Sequence, residues 1–175
     1  MKTVFITGAA SGIGLATARR FASEGWFVGL YDINQQGVEE LASSELFAAA
    51  CAGHCDVSER ASVDRALAEF SEQTGGRLDV VINNAGVLSA GRFETLDVMK
   101  HDAMIRVNVL GLTHVAQAAF PMLRDTPHSA LLNLCSVSSV HGVPLLAVYS
   151  ASKFYVNGLT QALGIELSLI HISEP

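Results

Sequence analysis

A tyrosine and a lysine late in the chain have the types and spacing to move a proton. Tyr149 and Lys153 are four residues apart, so on a helix their side chains share one face. A phenol with a free pKa of about 10 is a poor base at neutral pH, but an adjacent ammonium favours phenolate and can lower that pKa. Tyr149 could then exchange a proton with a substrate hydroxyl. Alone, this spacing is most often a surface coincidence.

A glycine-rich turn near the start of the chain has the pattern of a phosphate-binding loop. It lies between an apolar run and a helical pattern, with the spacing Gly-x-x-x-Gly-x-Gly. Glycines allow close approach of a phosphate to the backbone, and the helix N-terminus supplies free N–H groups and a positive dipole. An ordinary tight turn is the alternative. The candidate cofactor residues of the turn are Gly8, Ser11, Gly12, Ile13 and Gly14.

Asp32 ends the second apolar run, 18 residues after Gly14. A carboxylate there can accept hydrogen bonds from both hydroxyls of an adenosine ribose, and it repels a 2′-phosphate. Neither Ser11 nor Ile33 supplies a cation for such a phosphate. NAD is therefore favoured over NADP, with a solvated turn aspartate as the alternative. In that case Tyr149 would act while a hydride passes to or from nicotinamide.

Strands and helices alternate along the chain. Strands are predicted at 3–6, 26–31, 50–57, 78–82 and 130–135, and helices at 13–24, 35–44, 58–73, 98–123 and 148–167. Apolar helix faces are predicted at Ile13, Ala16, Thr17 and Phe21, at Val63, Ala66, Leu67 and Phe70, and at Val107, Leu110, His114, Val115, Ala118 and Met122. Alternation of this kind requires parallel strands joined by crossover helices. The prediction is an α/β fold with a doubly wound parallel sheet of Rossmann type in three layers, α/β/α.

Composition excludes several classes of protein. The 175 residues are 50% hydrophobic and 16% charged, which indicates a folded chain with a sizeable core. A net charge of −6 and a single adjacent basic pair, Arg19 and Arg20, argue against nucleic-acid or membrane partners. The uncharged stretch 126–152 is broken by Pro144 and polar residues, so it cannot span a bilayer. Three cysteines make no disulfide framework, and the apolar run after Lys2 is too short for a signal peptide, so a cytoplasmic location is expected.

Together, the motifs resemble the short-chain dehydrogenase/reductase family. They match in order from Lys2 to about Leu167, and the ordered set is far more specific than any one motif. The matching segments are Thr7-Gly8-x-x-x-Gly12-x-Gly14, Asp56-Val57, Asn83-Asn84-Ala85-Gly86, Asn108, Ser136 and Tyr149-x-x-x-Lys153.

The resemblance implies a catalytic role for four residues. Tyr149 would be the general acid/base, and Lys153 would lower its pKa and hold the nicotinamide ribose hydroxyls. Ser136, 13 residues before Tyr149, would hydrogen-bond the substrate oxygen, with Ser138 as the second choice. Asn108 would anchor a water that relays protons to Lys153.

Further implications concern the cofactor and the assembly. Asp56 and Val57 would contact adenine, and the segment of Asn84, Ala85 and Gly86 would pass beside the cofactor. The helices 98–123 and 148–167 often pair across a subunit interface in related proteins, so a homo-oligomer (dimer or tetramer) is expected.

Two groups of side chains are set aside. Cys51, His54 and Cys55 could suggest a metal, but no second ligand pair follows at zinc-site spacing, so no metal site is predicted. Surface or packing roles are expected for His101, His114, His128, His141 and His171.

The pattern of the family breaks near the end of the chain. Residues 1–167 are predicted to form a dinucleotide-binding and catalytic domain, and residues 168–175 an aberrant tail, β-branched and ending on proline. A truncated product that lacks the final strands of the sheet is the resulting expectation.

Two functions remain open on these grounds. The first is an NAD-dependent oxidoreductase acting on a small secondary alcohol or ketone, and the second is a truncated, non-catalytic fragment that at most binds dinucleotide. A sugar-nucleotide epimerase or dehydratase is disfavoured by the glycine spacing and the Asn-Asn-Ala-Gly motif. A non-catalytic NAD sensor would not need Asn108, Ser136, Tyr149 and Lys153 together. The substrate itself is not predicted.

Overall fold

A parallel five-stranded sheet with helices on both faces organises the chain in a computed structural model that describes residues 1–168. The strands are β1 (Thr3–Thr7), β2 (Phe27–Asp32), β3 (Ala50–His54), β4 (Val80–Asn83) and β5 (Ala130–Asn133). The helices are α1 (Gly12–Ser23), α2 (Gln35–Ala42), α3 (Arg60–Thr74), α4 (Val98–Ile105), α5 (Leu112–Asp125) and α6 (Ala147–Ser168). The predicted α/β fold with a doubly wound parallel sheet is confirmed.

The strand order explains where a ligand can enter. The order is β3-β2-β1-β4-β5, so the chain runs outward from β1 in one direction and then continues from β4 in the other. All four strand pairs are parallel. In open sheets of this kind the crevice beyond the carboxyl ends of the strands, where the order reverses, is the usual ligand site. Here that point lies between β1 and β4.

Alternation along the strands divides the core into two layers. Val4 and Ile6 of β1 face the layer made with α1 and α2, while Phe5 faces the layer made with α3 and α5. The ring of Phe5 stacks on Tyr31 at 4.5 Å between centroids and meets Phe70 edge-on at 5.4 Å. Because strands in a parallel sheet are covered on both sides, they are apolar throughout, and this is why the sequence predicts them well.

The apolar faces of two helices differ from the prediction. In α1 the buried residues are Gly14 and Ala18, whereas Ile13 and Ala16 are exposed. Leu110 was predicted to lie in the core, but its side chain is 47% exposed. The buried face of α1 is displaced because Gly14, which a hydropathy pattern does not count as apolar, packs directly against β1 and β4. The predicted face of α3, Val63 to Phe70, is buried as expected.

A π-helical segment interrupts the predicted helix 98–123. The backbone continues without a break from α4 into Arg106–Gly111, whose hydrogen bonds follow the π pattern, and then into α5, which ends at Asp125. π-helical turns insert a residue into the helical repeat and occur often at functional sites. Leu110 lies within this segment, whose helical repeat departs from the 3.6-residue period assumed for the predicted stripe.

Two strands end earlier than predicted. β3 ends at His54, so Asp56 and Val57 lie in the turn before α3, and β5 ends at Asn133. The tail predicted at 168–175 lies outside the described residues from position 169 onward. Among residues 1–168, none of the helices combines the length and apolar character that crossing a membrane requires.

Candidate active site

The turn between β1 and α1 has the backbone of an anion-binding loop. Gly8 and Gly12 have φ values of +68° and +54°, in the left-handed region that a side chain disfavours. A Cβ on Gly12 would meet nothing within 4 Å, so this glycine faces open space. Ser11, the N-cap residue, makes no side-chain cap bond, and the first turn of α1 holds no acidic residue. The positive end of the helix is therefore uncompensated.

Gly14 does not line the cleft but lies behind the turn. A Cβ there would overlap the carbonyl oxygen of Gly8 and lie 2.6 Å from Nδ2 of Asn84. Only a glycine lets α1 approach the ends of β1 and β4 this closely. The third glycine of the motif is thus required for packing. Gly8 also packs closely, since a Cβ there would lie 2.8 Å from Asn84 Nδ2 and 3.0 Å from the Ala85 Cα, whereas Gly12 faces open space.

A hydrogen-bond network joins β1 and β4 where the strand order reverses. The Thr7 hydroxyl oxygen accepts from the backbone N–H groups of Asn84 and Ala85, each at 3.1 Å. In return the Asn84 side-chain amide donates to the carbonyl oxygens of Thr7 at 2.9 Å and Gly8 at 3.1 Å. These four bonds hold the glycine turn against the segment after β4.

Asp32 stands at the end of β2 beside the glycine turn. Its carboxylate accepts from the backbone N–H of Ala10 at 2.9 Å and from that of Asn34 at 2.9 Å. Each oxygen keeps a further lone pair, because a carboxylate oxygen can accept two hydrogen bonds. The side chain is half-buried, so its remaining acceptor positions are accessible.

A cleft of about 450 Å³ opens above these strand ends. It contains most of the residues predicted to contact the cofactor, drawn from the ends of β1, β2 and β4 and the turn after β3. The lining residues are Gly8, Ser11, Gly12, Ile13, Asp32, Ile33, Cys55, Asp56, Val57, Asn84, Ala85, Gly86, Val87, Val107 and Leu134. The exposed position of Ile13 is explained by this cleft, because its side chain borders it.

The wall of the cleft after β3 is rigidly held. The Asp56 carboxylate accepts from the N–H and the hydroxyl of Ser58 at 2.9 and 2.7 Å, and the Val57 carbonyl oxygen lies 3.0 Å from Nδ1 of His114. Burial, with smaller contributions from the carboxylates of Asp56 and Asp32, raises the pKa of the Cys55 thiol to about 12. This wall therefore presents a neutral thiol.

Lys153 and Tyr149 do not themselves line the cleft, and Lys153 reaches it through a hydrogen bond to the lining residue Leu134. The Lys153 ammonium donates to the carbonyl oxygen of Leu134, which lines the cleft, at 2.8 Å, and it lies 5.7 Å from the centroid of the Tyr149 ring. Lys153 is 6% exposed. Burial lowers the pKa of Lys153, and the nearby Cys135 thiol acts weakly in the opposite sense. The predicted pairing of these two residues on one face of α6 is what the structure shows.

The two candidate serines differ in exposure. Ser136 is half-buried and its hydroxyl oxygen accepts from the backbone N–H of Ser138 at 3.2 Å, while Ser138 is 4% exposed. The loop that follows reaches the turn before α6, where the Leu145 carbonyl oxygen accepts from the N–H of Gly91 at 2.9 Å. Ser136 is the more accessible of the two, and its role as the substrate-binding serine stays a prediction.

Asn108 lies within the π-helical segment and is 1% exposed. Its Oδ1 accepts from the N–H of Val87 at 2.8 Å, and its Nδ2 donates to the Val87 carbonyl oxygen at 2.9 Å and to the Ser152 hydroxyl at 3.1 Å. A Cβ on Gly86 would lie 3.3 Å from Asn108 Oδ1 and 4.0 Å from the Lys153 ammonium. Asn108 therefore orders the segment between the cleft and Lys153, and its water-relay role stays a prediction.

Side chains that could bind a metal are not clustered in the described part of the chain. Within residues 1–168 there is no group of three or more His, Cys, Asp or Glu side chains placed to hold a metal ion. Instead the His54 ring lies 3.4 Å from the Ser62 hydroxyl, and Cys51 lies 3.7 Å from the Tyr31 hydroxyl.

Some residues of the site are not predicted by the sequence. The motifs include Thr7 without a role of its own, and no motif includes Val87, Leu134 or Ser152. The signal available for Thr7 was a polar residue at the end of an otherwise apolar strand. The backbone groups of Val87 and Leu134 act irrespective of side chain, so their contribution leaves no trace in residue type.

Comparisons with known proteins decide the family. The family model for short chain dehydrogenase matches residues 2–173 of the chain. The chain belongs to the short-chain dehydrogenase family. Curated relatives of this dehydrogenase family include a sorbitol dehydrogenase of Cereibacter sphaeroides, 35% identical over 167 residues, and a meso-2,3-butanediol dehydrogenase of Serratia marcescens, 36% identical over 165 residues. These alignments cover 95% and 94% of this chain but only 64% and 65% of the relatives, so this family member spans less than two thirds of their length.

Solved structures of the family share the fold. A 3-ketoacyl-(acyl-carrier-protein) reductase from Brucella melitensis, complexed with NADH, matches with a TM-score of 0.90 at 33% identity, over 97% of this chain and 71% of that one. A short-chain dehydrogenase/reductase from Burkholderia phymatum, in complex with NAD, matches with a TM-score of 0.86 at 30% identity, over 93% of this chain and 58% of that one.

Proposed function

We propose that the chain is the dinucleotide-binding and catalytic part of an oxidoreductase that transfers hydride between NAD(H) and a secondary alcohol or ketone, with Tyr149 as general acid/base. One observation carries the proposal. A single cleft joins a glycine turn at a helix N-terminus to Leu134, whose carbonyl oxygen holds the Lys153 ammonium close to the Tyr149 ring.

The residues of the cleft fit a nicotinamide dinucleotide. The open side of Gly12 and the uncompensated N-terminus of α1 suit the pyrophosphate, and Asp32 can accept from ribose hydroxyls while repelling a 2′-phosphate. Asp56 and Val57 would flank the adenine, and Ala85 and Gly86 would pass the nicotinamide end. The bound cofactor supplies the hydride acceptor or donor. NADH or NAD in the two solved relatives supports the same choice.

The transfer of the proton is assigned to Tyr149, Lys153 and Ser136. Tyr149 would take the proton of a substrate hydroxyl in oxidation and return it in reduction. The Lys153 ammonium, held beneath the ring, stabilises the negative charge on the phenol oxygen after that oxygen gives up its proton. Ser136, accessible at the end of β5, would donate a hydrogen bond to the substrate oxygen and so hold it near Tyr149.

Assembly and location form part of the proposal. Apolar side chains remain exposed along the described parts of α6 and the π segment, among them Phe154, Tyr155 and Leu110, and this supports self-association as a dimer or tetramer. Size-exclusion chromatography with light scattering would reject it by showing only monomer. Free thiols at Cys51, Cys55 and Cys135 support a reducing, cytoplasmic compartment.

Calorimetric titration followed by a turnover assay tests the proposed function. NADH should bind more tightly than NADPH, and a panel of secondary alcohols and ketones should reveal NAD-linked turnover. Tyr149→Phe should keep NADH binding but lose turnover about a hundredfold or more. The matched control is Tyr155→Phe, which removes the hydroxyl of another tyrosine of α6, one that is hydrogen-bonded to the Thr113 hydroxyl at 2.7 Å. NADH binding without turnover on any substrate would favour the non-catalytic fragment instead.

A further inference from the structure

Ser152 lies between the two catalytic elements without belonging to either set of predicted site residues. Its side chain is 1% exposed. The hydroxyl donates to the Tyr149 carbonyl oxygen at 2.6 Å and accepts from Nδ2 of Asn108 at 3.1 Å. One oxygen atom therefore joins the first two turns of α6, which bear Tyr149 and Lys153, to the π-helical segment.

The bond completes the hydrogen bonding of the Asn108 amide. The Val87 backbone takes Oδ1 and one N–H of that amide, and the second N–H has Ser152 as its acceptor. Because Asn108 is 1% exposed, water cannot readily replace a lost partner, and a buried donor left unpaired is costly. Loss of the Ser152 acceptor should therefore disturb the amide and, through it, the Val87 N–H.

We propose that Ser152 is a positioning residue. This inference rests on the proposed function. Ser152 holds the first two turns of α6, which bear Tyr149 and Lys153, at a fixed distance from Asn108 and from the segment of Gly86 and Val87 at the nicotinamide end of the cleft. The short distance from the Gly86 position to both Asn108 Oδ1 and the Lys153 ammonium shows how little room these elements have to move independently.

The same helix supplies a matched control. Thr160 also donates its hydroxyl to a backbone carbonyl of α6, that of Val156 at 2.7 Å, and accepts from an asparagine amide, that of Asn133 at 3.0 Å. It lies two turns farther along α6, at an exposed position. Thr160→Ala thus removes the same kinds of hydrogen bond from the helix, at a position outside the turns that bear Tyr149 and Lys153.

Two measurements on the full chain test the role. The first is the hydrogen-exchange rate of the Val87 amide, which we expect to rise about tenfold or more in Ser152→Ala and to stay unchanged in Thr160→Ala. The second is steady-state kinetics, in which Ser152→Ala should lower kcat about tenfold or more while the KM for NAD changes less than about twofold. Ser152→Cys keeps the size of the side chain with a weaker acceptor, so it should fall between the wild type and Ser152→Ala in both measurements.

The outcomes separate this inference from the proposed function. Faster Val87 exchange with a lower kcat supports both. Faster Val87 exchange in a chain whose wild type turns over no substrate supports the positioning role and refutes the oxidoreductase activity. Val87 exchange and kcat that match those of Thr160→Ala would overturn the positioning role, whatever the activity of the wild type. If Ser152→Ala does not fold, wild-type exchange at Val87 in Ser152→Cys overturns it equally.

Discussion

Replacing Gly14 by alanine should destabilise the fold, although the same change stabilises most helices. Ordinary contact with a Cβ begins at 3.4 Å, while a Cβ on residue 14 would lie 2.6 Å from Asn84 Nδ2 and closer still to the Gly8 carbonyl oxygen. The helix must therefore shift by at least about 0.8 Å relative to the Asn84 side chain, from 2.6 to 3.4 Å, and farther relative to the Gly8 carbonyl oxygen, which belongs to the backbone and cannot rotate away. Overpacking of this kind costs about 3 kcal/mol, and alanine returns about 1 kcal/mol through helix propensity.

A net loss of about 2 kcal/mol follows, equivalent to a Tm lower by about 4–8 °C for a chain of this size. Gly158→Ala is the control, since Gly158 lies inside α6 and a Cβ there meets nothing within 4 Å. It should raise stability by about 0.5–1 kcal/mol. Urea unfolding of both variants measures the difference. Equal stabilisation of the two variants would refute the close packing of α1 against β1 and β4.

Three further predictions concern charged groups. Asp32→Ala removes the acceptor for two backbone N–H groups and, in the proposed site, for the ribose hydroxyls. Calorimetry should show that the affinity for NADH falls about tenfold and that the preference for NADH over NADPH is lost. An unchanged preference would contradict this prediction. Burial lowers the pKa of Lys153, so between the lowered pKa and about 10.4 the unfolded chain binds the lysine proton more readily than the folded chain. The wild type should therefore gain stability relative to Lys153→Met as pH rises through that window. A difference in unfolding free energy between the two proteins that stays constant with pH would contradict this prediction. Burial raises the pKa of Asp79, but hydrogen bonds from Arg77 and Thr3 outweigh it and hold that pKa below its usual range. Asp79→Asn should therefore cost about 2 kcal/mol above pH about 4, an effect that fades as pH falls through the folded pKa, while the exposed Asp125→Asn should leave the urea midpoint unchanged.

The strands and the turn at β1 could be predicted because their causes are local. β-branched and apolar runs mark strands covered on both faces, and Gly8 and Gly12 occupy positions whose positive φ excludes most other residues. Asp32 follows the same logic, since the end of a parallel strand meets its neighbours at one edge of the sheet. The common direction of the parallel strands is enough to place Gly8, Gly12 and Asp32 at the cleft.

The parts that escaped prediction depend on contacts between distant segments. The π segment around Asn108 is stabilised by Val87 and Ser152, 21 positions earlier and 44 later, and no local pattern encodes that. Ile13 is apolar yet exposed because it borders the cleft, and Gly14 is buried because two strand ends leave no space for a side chain. Hydropathy counts side chains, whereas these positions are decided by backbone approach.

Transfer of deuterium from a substrate to the cofactor tests the central claim most directly. A panel of secondary alcohols deuterated at the carbinol carbon is incubated with NAD and the purified chain, and the reduced cofactor is examined by mass spectrometry. Deuterium should appear in NADH with the wild type and be lost with Tyr149→Phe, although both proteins should bind NADH equally well. Deuterium transfer of equal rate in the Tyr149→Phe variant, or none from any alcohol to NAD bound by the wild type, would contradict the proposed function.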